Sequence, residues 1–164
     1  MSVNIQPAKL LSDEVPCIVK AVAGLIVQKG QFFIRDGTTG RVDQALTAGN
    51  NSAAGTIPTH FATQGLNSGV AYAADADLEL HEIQVNDEFE FSLSNVDAVI
   101  AYADNMAADK YDLRRPTGSD VYVLNTASSA QPVAKVAQSV PGAESDTCGR
   151  VNARILNARV GLGN

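Results

Sequence analysis

The chain has 164 residues, 45% of them hydrophobic, with a formal net charge of −6. That length can bury a core in one domain without staples. The acidic balance opposes phosphate backbones, and no basic stripe with interleaved aromatics is present, so nucleic-acid binding is disfavoured. Trp is absent and aromatics make up 5%, while thirteen Gly and six Pro supply turns throughout. This mixture favours many short strands over a helical bundle. No apolar run reaches membrane-spanning length; the best, Ile18–Val27, carries Lys20 and Gly24. Met1–Ala8 lacks the basic start and apolar core of a signal peptide.

Residues 1–16 show no clean period and are punctuated by Pro7 and Pro16. They read as an N-terminal arm ahead of a single β domain over residues 17–164. Val3, Ile5, Leu10 and Leu11 in this arm need apolar cover, from their own domain or from a neighbouring subunit. Cys17–Val27 and Gln31–Arg35 are rich in Val, Ile and Phe and are expected as strands, with a turn at Lys29-Gly30. Asp36–Gly40 is a stronger turn signal, and Arg41–Leu46 should return as a third strand of a meander. Thr47–Thr56 is small and polar and is expected as an exposed loop. Its sequon, Asn50-Asn51-Ser52, bears only on a secretory protein. Ile57–Gln64 follows as a strand, and Gly65–Ala74 as a loop.

Asp75–Asn95 is the best-patterned stretch. Charged and polar residues alternate there with Leu78, Leu80, Ile83, Val85, Phe89, Phe91 and Leu93. Leu78 and Leu80 share one parity, and Ile83 and Val85 the other. Either a bulge near His81-Glu82 resets the alternation, or both faces are covered there. If the two halves form a hairpin, its loop has odd length, because only then does Val85 face Phe89. Otherwise the chain turns a corner between sheets.

Val96–Leu113 reads as a short helix or as a strand and turn. Arg114–Gly118 is a turn, in which Arg114 and Arg115 either anchor an acidic neighbour or stay solvated. Asp120–Leu124 is a strand, Asn125–Gln131 a loop, Val133–Val140 a strand, and Pro141–Gly149 a loop. Arg150–Val160 is a terminal strand edged by Arg150, Arg154 and Arg159. The fold expected is mainly β: a compact β-barrel or β-sandwich of short antiparallel strands with long loops and at most one or two short helices.

Several groupings invite a chemical reading. Asp75, Asp77, Glu79 and His81 share one side of an extended strand and have the oxygen and imidazole donors of a divalent-ion site, but collinear residues spread wider than a metal's radius. A solvated strand face is the plainer reading. His60 and His81 are the only histidines, and no Gly-x-Ser-x-Gly elbow accompanies them. Cys17 and Cys148 lack metal or redox spacing and are expected as structural thiols. Asp87, Glu88 and Glu90 offer carboxylates for glycoside chemistry, without the aromatics a sugar site wants. Gly37–Gly40 lacks the lysine and helix of a phosphate loop. No catalytic, cofactor or metal site is expected.

The β-rich meander, the Leu80–Leu93 segment, the Asp120–Leu124 strand and the final VNARILNARV strand together resemble the small capsid decoration (cement) proteins of tailed bacteriophages. The likeness covers most of Val15–Val160. It implies a compact β fold and a structural, non-enzymatic role on the outer surface of the virion capsid. The implied partners are the major capsid protein and further copies of the chain, a trimer being favoured, with no membrane and no nucleic acid. Val3, Ile5, Leu10, Leu11, Arg114 and Arg115 are the expected interface residues. The chain departs from the smallest members in its length and in the added Val96–Leu113 segment. Another virion component, of tail or head completion, and a β-sandwich ligand-binding module are the alternatives.

Overall fold

A computed structural model describes residues 5–156; Val3, Arg159 and Val160 lie outside that range. The protein is mainly β. Its described strands are β1 (Lys9–Leu10), β2 (Pro16–Ala21), β3 (Phe32–Arg35), β4 (Arg41–Gln44), β5 (Asn50–Asn51), β6 (His60–Phe61), β7 (Asp77–Glu82), β8 (Glu88–Asn95), β9 (Ala98–Val99), β10 (Lys110–Arg115), β11 (Val123–Asn125), β12 (Ala134–Ser139) and β13 (Arg150–Ile155). Helical structure among the described residues is confined to single 3-10 turns at Ala54–Thr56, Asn67–Gly69 and Asp104–Met106. Among the described residues no helix is long and apolar enough to cross a membrane.

Five strands close a barrel in the order β2-β4-β3-β6-β7. β4 therefore lies between β2 and β3, and the expected meander is corrected: β2 pairs with β4 in parallel, not with β3. The cause is the segment after Ala21. Strand is expected there through Val27, but Gly24 turns at a φ of 82° and the chain crosses the barrel end, burying Leu25 and Val27. The Asp36–Gly40 turn forms as expected, with Asp36 Oδ1 accepting the Thr38 and Thr39 N–H groups at 2.6 and 2.8 Å.

The second half makes its own ring of pairings, β8–β11, β11–β10, β10–β12, β12–β13 and back from β13 to β8. β1 adds to β8, and β5 to β10. Asn50–Asn51 thus corrects the expectation of a free loop over Thr47–Thr56. Backbone pairing needs no apolar side chain, so a polar stretch conceals it.

Alternation along β3 divides the interior into two cores. Phe33 points into the barrel with Val19, Val42, Leu78 and Leu80. Phe32 points out of it, into a larger core with Phe61, Phe89, Phe91 and Tyr122. There the Phe32 ring lies 4.8 Å from Phe61, 5.4 Å from Phe89 and 5.6 Å from Tyr122. The larger core takes residues from both rings and joins them.

β7 resolves the parity conflict. Its ladder with β2 runs unbroken from Lys20↔Asp77 to Pro16↔His81, so no bulge intervenes. Leu78 and Leu80 face the barrel, while His81 and Ile83 turn to the other side, where the second ring covers them. β7 and β8 belong to different rings, so residues 83–87 form a corner. Val85, expected to face inward, is 49% exposed there. Asn86 turns the chain at a φ of 71°, and its N–H donates to Ile155 O.

The described part of the arm, residues 5–16, lies on its own domain. Ala8 is buried in the larger core, Lys9 and Leu10 pair with Glu90 and Phe89, and Glu88 N–H donates to Ser12 Oγ. Gly30, with a φ of 84°, makes room for it: a Cβ at that position would stand 2.6 Å from Pro7 Cβ and 3.0 Å from Ala8 O.

Candidate functional site

The acid–histidine row does not converge. Asp75 sits ahead of β7 at a φ of 63° and takes two hydrogen bonds of 2.8 Å from Arg41, which hold its carboxyl below the usual range. Asp77 pairs with Lys20 at 2.6 Å. Glu79 is exposed, whereas His81 is fully buried beneath the second ring. Among the described residues no group of three or more His, Cys, Asp or Glu side chains is placed to hold a metal ion.

His81 joins three segments. Its Nδ1 accepts the Val15 N–H at 2.9 Å. The proton therefore sits on Nε2, which donates to Asp87 Oδ2 at 2.7 Å. Asp87 Oδ2 also accepts the Gln84 N–H at 2.8 Å. This histidine–carboxylate pair has no nitrogen left for a substrate. The other two acids considered for glycoside chemistry bridge β8 to β13, Glu88 to Arg154 at 2.9 Å and Glu90 to Arg150 at 3.2 Å.

His60 faces the barrel side with Phe33, its register partner. Nδ1 lies 2.7 Å from Thr59 Oγ1, and Nε2 is buried without a hydrogen-bond partner. Burial lowers its pKa to about 4, with help from Arg35 and His81. Cys17 and Cys148 are both free thiols, and burial raises the pKa of each. A neutral thiol and a neutral imidazole do not make an activated nucleophile.

The arginine pair is spent inside the chain. Arg114 is buried; its Nε and Nη2 donate to Asp97 Oδ1 at 3.0 and 2.8 Å, and its Nη1 to Asn51 Oδ1 at 2.9 Å. Arg115 donates to Ser119 O, Leu46 O and Asp120. The acidic neighbours these arginines anchor are their own. Asp97 closes a two-residue turn with Val96 between β8 and β9, and Val96 holds a φ of 54° there. Such a conformation is unusual for a β-branched side chain.

A groove of about 1060 Å³ runs between the β3–β4 hairpin and the Thr47–Thr56 segment. Arg35, Arg41, Asp36 and Asp43 line it with both signs of charge, and no aromatic ring is among its walls.

A different surface stands out on β2. Val15 O and Ala21 N–H bond to the β7 side, so Ile18 directs its N–H and C=O to the opposite edge. β4 reaches that edge only at Lys20 and Ala21, so among the described residues no strand pairs with residues 16–19 along it. The Ile18 side chain is 62% exposed, and Val15 and Leu11 in the preceding segment are 39% and 40% exposed. Of the expected interface residues, Leu11 is exposed, while Ile5 and Leu10 are half-buried. The sequence carried one signal for Ile18, its shared parity with Pro16 and Lys20.

No protein-family model matches the chain, and no curated protein is significantly similar to it.

Proposed function

We propose that this chain is a structural, non-enzymatic virion protein that binds the outer surface of an assembled capsid lattice and cements neighbouring capsomers. The observation that supports the reading is the exposed Ile18 on the stretch of β2 edge that no described strand covers. An open strand edge with apolar side chains is a template for a further strand. On a shell it would meet the same partner surface many times, so modest contacts add up by avidity. Binding the assembled lattice and not its free subunits stabilises the lattice by mass action. The major capsid protein is the proposed partner, and further copies of the chain, three around an axis, the proposed assembly.

The test is co-sedimentation with assembled shells and, separately, with unassembled shell subunits. The wild-type chain should pellet with shells alone, and Ile18→Lys should lose at least about tenfold in affinity while unfolding as the wild type does. Failure to associate with any shell, or equal binding by Ile18→Lys, overturns the reading.

A further inference from the structure

The Val15 N–H has its acceptor on a titratable side chain, and that side chain is sealed from water. His81 can hold the bond only while Nδ1 is unprotonated. Its other nitrogen already carries a proton, donated to Asp87. A second proton can enter the ring only at Nδ1, where it would point at the Val15 N–H. The resulting imidazolium keeps its Asp87 partner, so the charge is compensated and the bond to Val15 is what breaks.

The groups that pack against the ring come from four elements. The corner contributes the Asp87 carboxylate. β6 contributes Phe61, the register partner of His81, and His60, whose own pKa His81 helps to lower. β8 contributes the Phe89 ring at 6.4 Å, and β2 contributes Pro16, which has no N–H. None of these offers a second acceptor for Nδ1–H.

We propose that His81 is a proton-operated latch: protonation at Nδ1 frees the Val15 N–H and so releases the one bond by which this ring holds the entry to β2. The arm upstream keeps its own attachments, Ala8 in the core and Lys9–Leu10 on β8. Leu11 N–H and Ser12 stay bonded to Glu88, Glu14 to Thr63, and Val15 O to the Glu82 N–H, so what loosens is the Val15 amide itself, beside its half-exposed side chain. The latch is a property of the isolated chain; its consequence, a shell contact that changes with pH, rests on the function proposed above.

Hydrogen exchange at the Val15 amide, corrected for intrinsic exchange rates, tests this on the whole chain from about pH 7.5 to about pH 4.5. Protection at Val15 should fall about tenfold on acidification in the wild type, as expected for one lost hydrogen bond, while the β12–β13 amides stay protected. His81→Gln keeps an acceptor that does not titrate, and its Val15 protection should be flat. Asp87→Asn removes the charge that favours the imidazolium and should move the loss to lower pH, which decides the matter if His81→Gln does not fold. His60→Gln should leave the Val15 profile in place. Flat protection at Val15 in the wild type, an equal loss in His81→Gln, or no shift in Asp87→Asn overturns the latch. A chain that binds no shell at any pH yet shows the Val15 transition refutes the proposed function and leaves the latch standing.

Discussion

Gly30 and Gly24 form a matched pair. They hold nearly the same backbone conformation, φ of 84° and 82°, but differ in what a side chain would meet. At Gly24 nothing lies within 4 Å of an added Cβ, whereas at Gly30 the Cβ would stand 2.6 Å from Pro7 Cβ, 3.0 Å from Ala8 O and 3.2 Å from Ala8 N. Gly24→Ala should therefore pay only for a left-handed conformation, roughly 1 to 2 kcal/mol. Gly30→Ala pays that and must also push the arm away, which adds roughly 1 to 3 kcal/mol of overpacking or lost Ala8 burial. Each kcal/mol lowers Tm by roughly 2 to 4 °C in a chain of this size. Urea unfolding gives both values, and limited proteolysis of residues 5–15 reports where the strain goes. Gly30→Ala should expose the arm to cleavage and Gly24→Ala should not. Equal destabilisation of the two variants, with equal resistance to protease, would refute the docking of the arm over Gly30.

Two further outcomes follow from strained or orphaned groups. His60 has a folded pKa of about 4 against an ordinary value of 6.5, so it folds in its neutral form. Its contribution is fully present above about pH 6.5, is lost as pH falls towards 4, and amounts to about 3 kcal/mol in all; His60→Gln should flatten that part of the stability–pH curve, and an unchanged curve would refute the assignment. Val96→Asn should raise the unfolding free energy by about 1 kcal/mol, since Asn tolerates the left-handed position that Val occupies at some cost; a loss of stability would show that the Val96 side chain repays its strain.

The alternation of Phe89, Phe91 and Leu93 was legible because all three point into one core. The turn at Asp36–Gly40 was legible because its chemistry is local, an aspartate side chain capping two amides. What the residues concealed is non-local. Nothing in residues 83–87 says that the chain leaves one ring for another there, since a hairpin and a corner use the same turn residues. His81 shares its parity with Asp77 and Glu79, and only the second ring lying over one end of β7 separates a buried imidazole from exposed carboxylates. Ile18 lies in an expected β-rich strand, yet its neighbour β4 stops two residues short of it. Ring closure, not local pattern, decides each of these.

β8 is the strand on which both ends of the described chain meet. Glu90 is paired with Lys9 on one side and with Asn152 on the other. The barrel can close once residue 82 has been made, because all five of its strands precede that point. The second ring cannot close until β13 emerges, so β8 waits without its β11 and β13 partners while some sixty residues are added, a span fixed by the strand positions. Contacts of such sequence separation make folding slow, on the order of milliseconds to seconds. A partner or chaperone that shields β8 during synthesis would raise the yield of folded protein without altering its final stability.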